Sequence, residues 1–389
     1  MACTNSRYTR RATSQFITGS LPLAASILSS PWLIVSNDPE DQATPLTGPV
    51  TLYRGYATFT GQQRFRLFLW HRNLTGAALT YGLMLRASQL CSILNDARIE
   101  QFDVDFDGNY ADRGICLAVA HLGGTLDVYN PPSLLVKSVE TGPIWSRSVP
   151  SAGGGGRLVG CVLEFTVSAA SETTLYFRTF ASPNASRGAW NDGPAERDGH
   201  VRGWWPMSKI SIPLRFEDDE PLNVNPTIPA MRQNILVDAG GPEHAVGSGF
   251  GQLTGAGHEF DVVNKGCYGA DLEYVGLLRN SHPTETGRAY ISLLGRGGDG
   301  DFFGAADFKD PNLDLLGVRP MREITADPSR RHFVDLLEHK PLPYITVGPD
   351  TETLEFRFML AVGGAAATPV NVHMANQAVT ATPIGGGGE

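Results

Sequence analysis

The sequence predicts an all-β protein: two tandem jelly-roll-like antiparallel β-sandwich domains with short helical insertions. Short apolar stretches recur along the chain, and long helical periodicity is nearly absent. Glycine (44) and proline (26) lie scattered between those stretches, well above their average share, which implies many turns. A set of local matches also recurs at a spacing near half of the 389 residues.

Those matches are collinear. Gly76 to Ser88 reappears as Gly269 to Ser281, with Gly, Ala, Leu, Tyr, Leu, Arg and Ser in register (269 minus 76 gives 193). Gly55 to Gly61 answers Gly249 to Gly255, Leu163-Glu164-Phe165 answers Leu354-Glu355-Phe356, and Ser20-Leu21-Pro22-Leu23 answers Ser211-Ile212-Pro213-Leu214. A duplicated unit is the expectation, and its length falls within the usual domain range. The implied division is a flexible arm over 1–19, a first sandwich over 20–207, a second over 208–378 and a Gly-rich tail over 379–389.

Short apolar stretches between turns mark the strands, with clear period-two alternation over Arg64 to Trp70. Trp32 to Val35 comes first. Arg64 to Trp70 sets Phe65, Leu67 and Leu69 against Arg66 and Phe68, and Leu79 to Arg86 follows a polar turn as the return strand of a hairpin. Ile115 to Ala120 and Leu134 to Val139 are expected strands. Cys161 to Val167 with Thr174 to Phe180 makes a second hairpin, mirrored by Thr353 to Leu360 with Pro369 to Met374. Lys209 to Phe216, Ala289 to Leu294 and Tyr344 to Val347 complete the set. Arg331 to His339 suits about two turns of helix, with Asp327 and Ser329 as caps.

Composition narrows the function. A net charge of −9 and the lack of clustered Lys and Arg argue against reading nucleic acid. No run approaches a membrane span, and Arg7, Arg10 and Arg11 precede no adequate apolar core of a signal peptide. The five cysteines form no C-x-x-C, and Cys91 with Cys116 is one conceivable disulfide.

Few motifs carry chemistry. Asp103, Asp105, Asp107 and Asp112, with Gly108, open like a calcium loop of hard oxygen ligands. The twelfth position is Gly114 rather than a bidentate Glu, so an ordinary Asx-rich turn is the competing reading. Gly249 to Gly255 imitates a dinucleotide fingerprint without the helix that would receive a pyrophosphate. The histidines form no metalloprotease or triad motif, and Glu164 with Glu355, placed like paired acids, would belong to different domains. Trp190, Trp204 and Trp205, with Asn191 and Asp192, crowd a polar loop that suits a sugar face, a protein partner or internal packing.

With no catalytic set, the expected role is a non-enzymatic structural subunit of an oligomeric assembly. A virion component (capsid, decoration or spike) or a surface-layer or appendage protein fits best, on the particle or the cell surface, with copies of itself or other subunits as partners. Two jelly rolls in one chain resemble the layout of some viral coat proteins. The alternative is a carbohydrate-binding β-sandwich protein, with calcium as the one cofactor the motifs suggest.

Overall fold

The computed structural model describes residues 31–106, 110–138, 142–151, 154–183, 190, 192–198, 200–206, 208–213, 221–227, 232–237, 268–295, 303–307, 318–323, 334–336, 344–364 and 370–375. These residues are mostly β-strand, so the chain is all-β. The expected arm over 1–19 and the tail over 379–389 lie outside the described residues.

The first half holds β1 (Trp32–Ser36), β2 (Asp41–Gln42), β3 (Val50–Asn73), β4 (Leu79–Ala87), β5 (Cys91–Ile93) and β6 (Arg98–Asp105). Helix α1 (Tyr110–Leu122) follows, then β7 (Asp127–Val128), β8 (Leu135–Val136), β9 (Trp145–Val149), β10 (Arg157–Ser182) and β11 (Arg202–Trp205). The second half holds β12 (Lys209–Pro213), β13 (Leu222–Asn223), β14 (Arg232–Val237), β15 (Asp271–Asn280), β16 (Gly287–Gly295) and β17 (Phe303–Asp307). It ends with β18 (Val318–Glu323), β19 (Val334–Leu336), β20 (Tyr344–Val347), β21 (Thr351–Gly364) and β22 (Val370–Ala375).

Two strands organise the first half. β3 and β10 have 24 and 26 residues and pair antiparallel along nearly their whole length. Strands usually run 3–10 residues, because a longer ribbon must twist or bend to keep one face buried. The bend falls at Gly61, with φ +78°, opposite a register shift between Ala169 and Thr173. Polar Thr60, Gln62 and Ser171, Glu172 lie exposed there.

On either side of the bend the same two strands serve two layers. The first part of β3 pairs with the last part of β10, which also takes β4, and β4 takes β9. The last part of β3 pairs with the first part of β10, which also takes β6, and β6 takes β7. Leu52, Tyr53, Leu83, Leu85 and Phe177 from one layer, and Leu67, Leu69, Ile99, Cys161 and Leu163 from the other, share one buried cluster. This is a β-sandwich-like core.

The second half uses the same pairings with the long strands cut in two. β14 pairs with β22, β22 with β16 and β16 with β20. β15 pairs with β21, β21 with β17 and β17 with β18. β1 and β2 lie parallel to the last part of β3, as β12 and β13 lie parallel to β15. Arg72-Asn73 and Arg279-Asn280 end the matching strands. In both, the buried Asn accepts the backbone N–H two residues on, Thr75 or His282. Among the described residues no strand before Trp205 pairs with one after Lys209.

Several expected elements are corrected. The repeat at a spacing of 193 matches β4 to β15, whereas their pairings make β16 the counterpart of β4, and the last part of β3 that of β15. The Leu-Glu-Phe matches also differ, since Glu164 faces Arg66 while Glu355 faces Leu277. β3 and β4 are not a hairpin, because β10 lies between them. Residues 161–167 and 174–180 belong to one strand, and β21 and β22 join different sheets. Residues 115–120 are helical and 334–336 are strand. Cys91 and Cys116 form no disulfide with each other, and Cys91 and Cys161 are free thiols.

Candidate functional site

The three tryptophans do not form an exposed platform. Trp205 is 2% exposed and pairs with Leu33 in the β1–β11 ladder. Trp204 packs on Trp32 at 5.6 Å and meets Phe177 edge-on. Trp190, 8% exposed, covers Met84 and Phe180 on the outer face of the sheet. Asp192 accepts a 2.9 Å bond from Arg178 Nη2, and its backbone carbonyl accepts the Thr51 hydroxyl. Asn191 lies outside the described residues. Trp190 and Trp205 are buried, and Trp204 is partly buried against the core.

Two members of the acidic run have arginine partners. Asp103 accepts from the guanidiniums of Arg147 and Arg157, and Arg157 also reaches Asp105 at 3.0 Å. Burial would raise the Asp103 pKa, but the hydrogen bonds from Arg157 and Arg147 outweigh it and lower it. Lone pairs held by arginine are not available to calcium, which needs six to eight oxygens. Asp107 lies outside the described residues, and of Asp112 only the helical backbone is described. Among the described residues no group of three or more His, Cys, Asp or Glu could hold a metal ion.

A polar site that spacing did not reveal joins the two halves. The Arg66 side chain points away from the core of its own sandwich and is 4% exposed. Its Nε donates to Glu164 on β10 at 2.7 Å, and its Nη1 reaches both the Gly269 carbonyl at 2.9 Å and Asp271 at 3.1 Å. The second oxygen of Asp271 lies 3.3 Å from His121 Nδ1 at the end of α1, without hydrogen-bond alignment. Burial pushes the Asp271 pKa up, but Arg66 foremost and His121 next reverse this and leave it at about 2.

Apolar contacts surround these charges. Ala118 and Leu122 of α1 pack on Ala305 and Ala361 of the second half. Phe68, on the same strand face as Arg66, stacks on Tyr268 at 5.7 Å. Gly269 has φ +68°, and a Cβ there would lie 2.7 Å from the Phe68 Cβ, so only glycine fits.

Two histidine networks lie in the first half. His71 donates from Nδ1 to the Pro39 carbonyl at 2.6 Å, which leaves Nε2 to accept the Ser36 hydroxyl at 3.0 Å. A hydroxyl on a neutral imidazole resembles an activated nucleophile. Both residues are wholly buried, however, and burial depresses His71 to about 4, so the pair ties β1 to β3. His200 sits between Asp198 at 2.7 Å and Glu40 at 3.2 Å. The Asp198 hydrogen bond foremost, then the charge of Glu40, raises it to about 9 and keeps it protonated at neutral pH. Beside it, wholly buried Asp38 binds Arg197 and accepts the Asp198 N–H. This clasp fastens the 192–202 segment to the β1–β2 connection, and its members are too far apart in sequence for a motif to show.

No helix among the described residues is long and apolar enough to cross a membrane. No protein-family model matches this chain, and no curated protein matches it in sequence.

Proposed function

We propose that the chain is a non-enzymatic structural subunit of an oligomeric assembly, a virion component being the reading that fits best. We further propose that each half is one jelly roll and that the two arose by duplication. The observation that supports this is the shared strand order. In each half the first strand of the wrap pairs with the last and the second with the next to last, as two interlocked Greek keys require. The seam around Arg66 and α1 then makes two similar blocks into one unit, which suits repeated contacts in a closed shell or lattice.

The carbohydrate-binding alternative as built on Trp190, Trp204 and Trp205 lacks support, since those rings pack internally. Mass photometry and analytical ultracentrifugation of the purified full chain test the assembly reading, beside a variant lacking residues 1–19. The expected result is a discrete oligomer from the full chain and a smaller species from the truncated one. Monomers in both, at micromolar concentration and physiological salt, would overturn it.

A further inference from the structure

The outer face of the β3–β10–β4 layer carries an aromatic and cationic row that the core does not use. Pairing places Tyr56, Tyr176 and Arg86 side by side across three strands. Their neighbours Ala57, Phe177, Leu85 and Ala87 point the other way, into the core. On one side of this row, Arg178 and Met84 are covered by Trp190 and Asp192. On the other lie hydroxyls: Thr58 bonds Thr174 at 3.0 Å, and the Ser88 hydroxyl accepts the Thr174 N–H. Tyr56, Tyr176, Arg86 and Arg54 are half-buried, while Thr58 and Ser88 are exposed.

Two guanidiniums contact Trp190 here. The Arg86 guanidinium carbon lies over the rings of Tyr176 and Trp190, at 5.0 and 5.3 Å from their centres. Arg54 donates from Nη1 to the Trp190 carbonyl at 3.2 Å. Arg178 nearby has the Asp192 carboxylate, but neither Arg54 nor Arg86 has an acidic partner among the described residues. Burial first, and the like charge of Arg86 second, lowers the Arg54 pKa. A guanidinium whose contacts are aromatic rings rather than carboxylates retains N–H donors for a planar oxyanion. An anion between two guanidiniums relieves their repulsion, and charge-assisted forks are the strong hydrogen bonds.

We propose that this row binds an anionic sugar, with a carboxylate or sulfate on Arg54 and Arg86, the ring against Tyr56 and Tyr176, and hydroxyls toward Thr58 and Ser88. A sugar is favoured over an acidic peptide because the row offers flat ring faces flanked by hydroxyls rather than apolar pockets for side chains. The proposal is independent of the assembly reading, since it concerns one face of one half.

Titration calorimetry of the full chain tests it, with 3′-sialyllactose as the carboxylate source and a heparin-derived disaccharide as the sulfate source. Lactose and a polyglutamate peptide are the controls. Saturable binding of at least one acidic sugar, absent with lactose, is expected. Arg86→Gln and Arg54→Gln should each weaken it roughly 10-fold or more while the protein stays fully folded at the assay temperature. Arg86→Lys, which keeps the charge without the fork, should weaken it too. Should Arg86→Gln fail to fold, Arg54→Gln and Tyr56→Ser decide the matter. The proposal is overturned if neither acidic sugar binds, if lactose binds as well, if polyglutamate binds more tightly, or if Arg54→Gln with Arg86→Gln leaves binding intact.

Discussion

Arg66 and Asp271 meet 3.1 Å apart across the junction of the two halves, on side chains 5% and 15% exposed. Arg66 also holds Glu164, whose other oxygen Arg64 binds, so one buried guanidinium is shared between two carboxylates. Removing one member of such a set leaves a charge without a partner, at about 3–5 kcal/mol. Arg66→Ala should therefore lower the denaturant midpoint of the whole chain and separate its unfolding into two transitions. Glu355→Ala, on an exposed side chain, should change stability by less than about 0.5 kcal/mol. A single unshifted transition in Arg66→Ala would show that the junction rests on its apolar contacts alone.

Stability should fall in two acid steps. His71 is held neutral, with a pKa near 4 against an ordinary 6.5. Its contribution is complete above pH 6.5 and is lost as pH falls through 4, which amounts to about 3 kcal/mol. Asp271, near 2 against an ordinary 3.8, contributes above pH 3.8 and loses its share as pH falls through 2, about 2 kcal/mol. Chemical unfolding at stepped pH should show the first decline between 6.5 and 4, and His71→Gln should flatten that step while leaving the lower one.

The opposite sign holds at His200, whose pKa rises to about 9 between Asp198 and Glu40. Its stabilisation is complete below pH 6.5 and is lost as pH rises through 9. Alkaline pH should loosen the 192–202 segment before the chain unfolds, measured as faster amide exchange there at pH 9.5 than at pH 7 after correction for intrinsic rates. His200→Asn should remove that difference.

Gly269 and Gly76 have nearly the same backbone, φ +68° and +72°, but different surroundings. A Cβ on Gly76 would meet nothing within 4 Å, so Gly76→Ala should cost about 1 kcal/mol from conformation alone. On Gly269 the same atom would collide with the Phe68 Cβ, adding an overpacking cost of about 1–3 kcal/mol. Equal losses in the two variants, by thermal unfolding, would remove the close approach of the halves as a constraint.

What was legible in the sequence was local. Tyr344 to Val347 alternates and Trp32 to Val35 is a short continuous apolar run, and both are strands. Ile115 to Ala120 was not legible as helix, because a short apolar run fits either period, and the contact of Ala118 and Leu122 with the second half decides between them. The hairpin expected from Arg64 to Arg86 failed for a topological reason: β10 pairs with both of its strands. Phe68 shares a face with Arg66, so its alternation marked that face as polar until Tyr268 covered it. The Arg66, Asp271 and His121 set joins three distant segments, and pair spacing carries no trace of it.

Trp205 gives a prediction that separates a structural from a recognition role. Its ring is 2% exposed, on β11 beside β1. Truncating a buried aromatic leaves a cavity, and Trp205→Ala should cost about 3–5 kcal/mol of folding stability. Arg86→Gln on the outer sheet face loses only half-buried stacking, so its cost should stay near 1 kcal/mol. Equilibrium unfolding of both variants under one set of conditions measures the contrast. A stable Trp205→Ala protein that had lost binding to a ligand would reassign this tryptophan to recognition, against the packing that surrounds it.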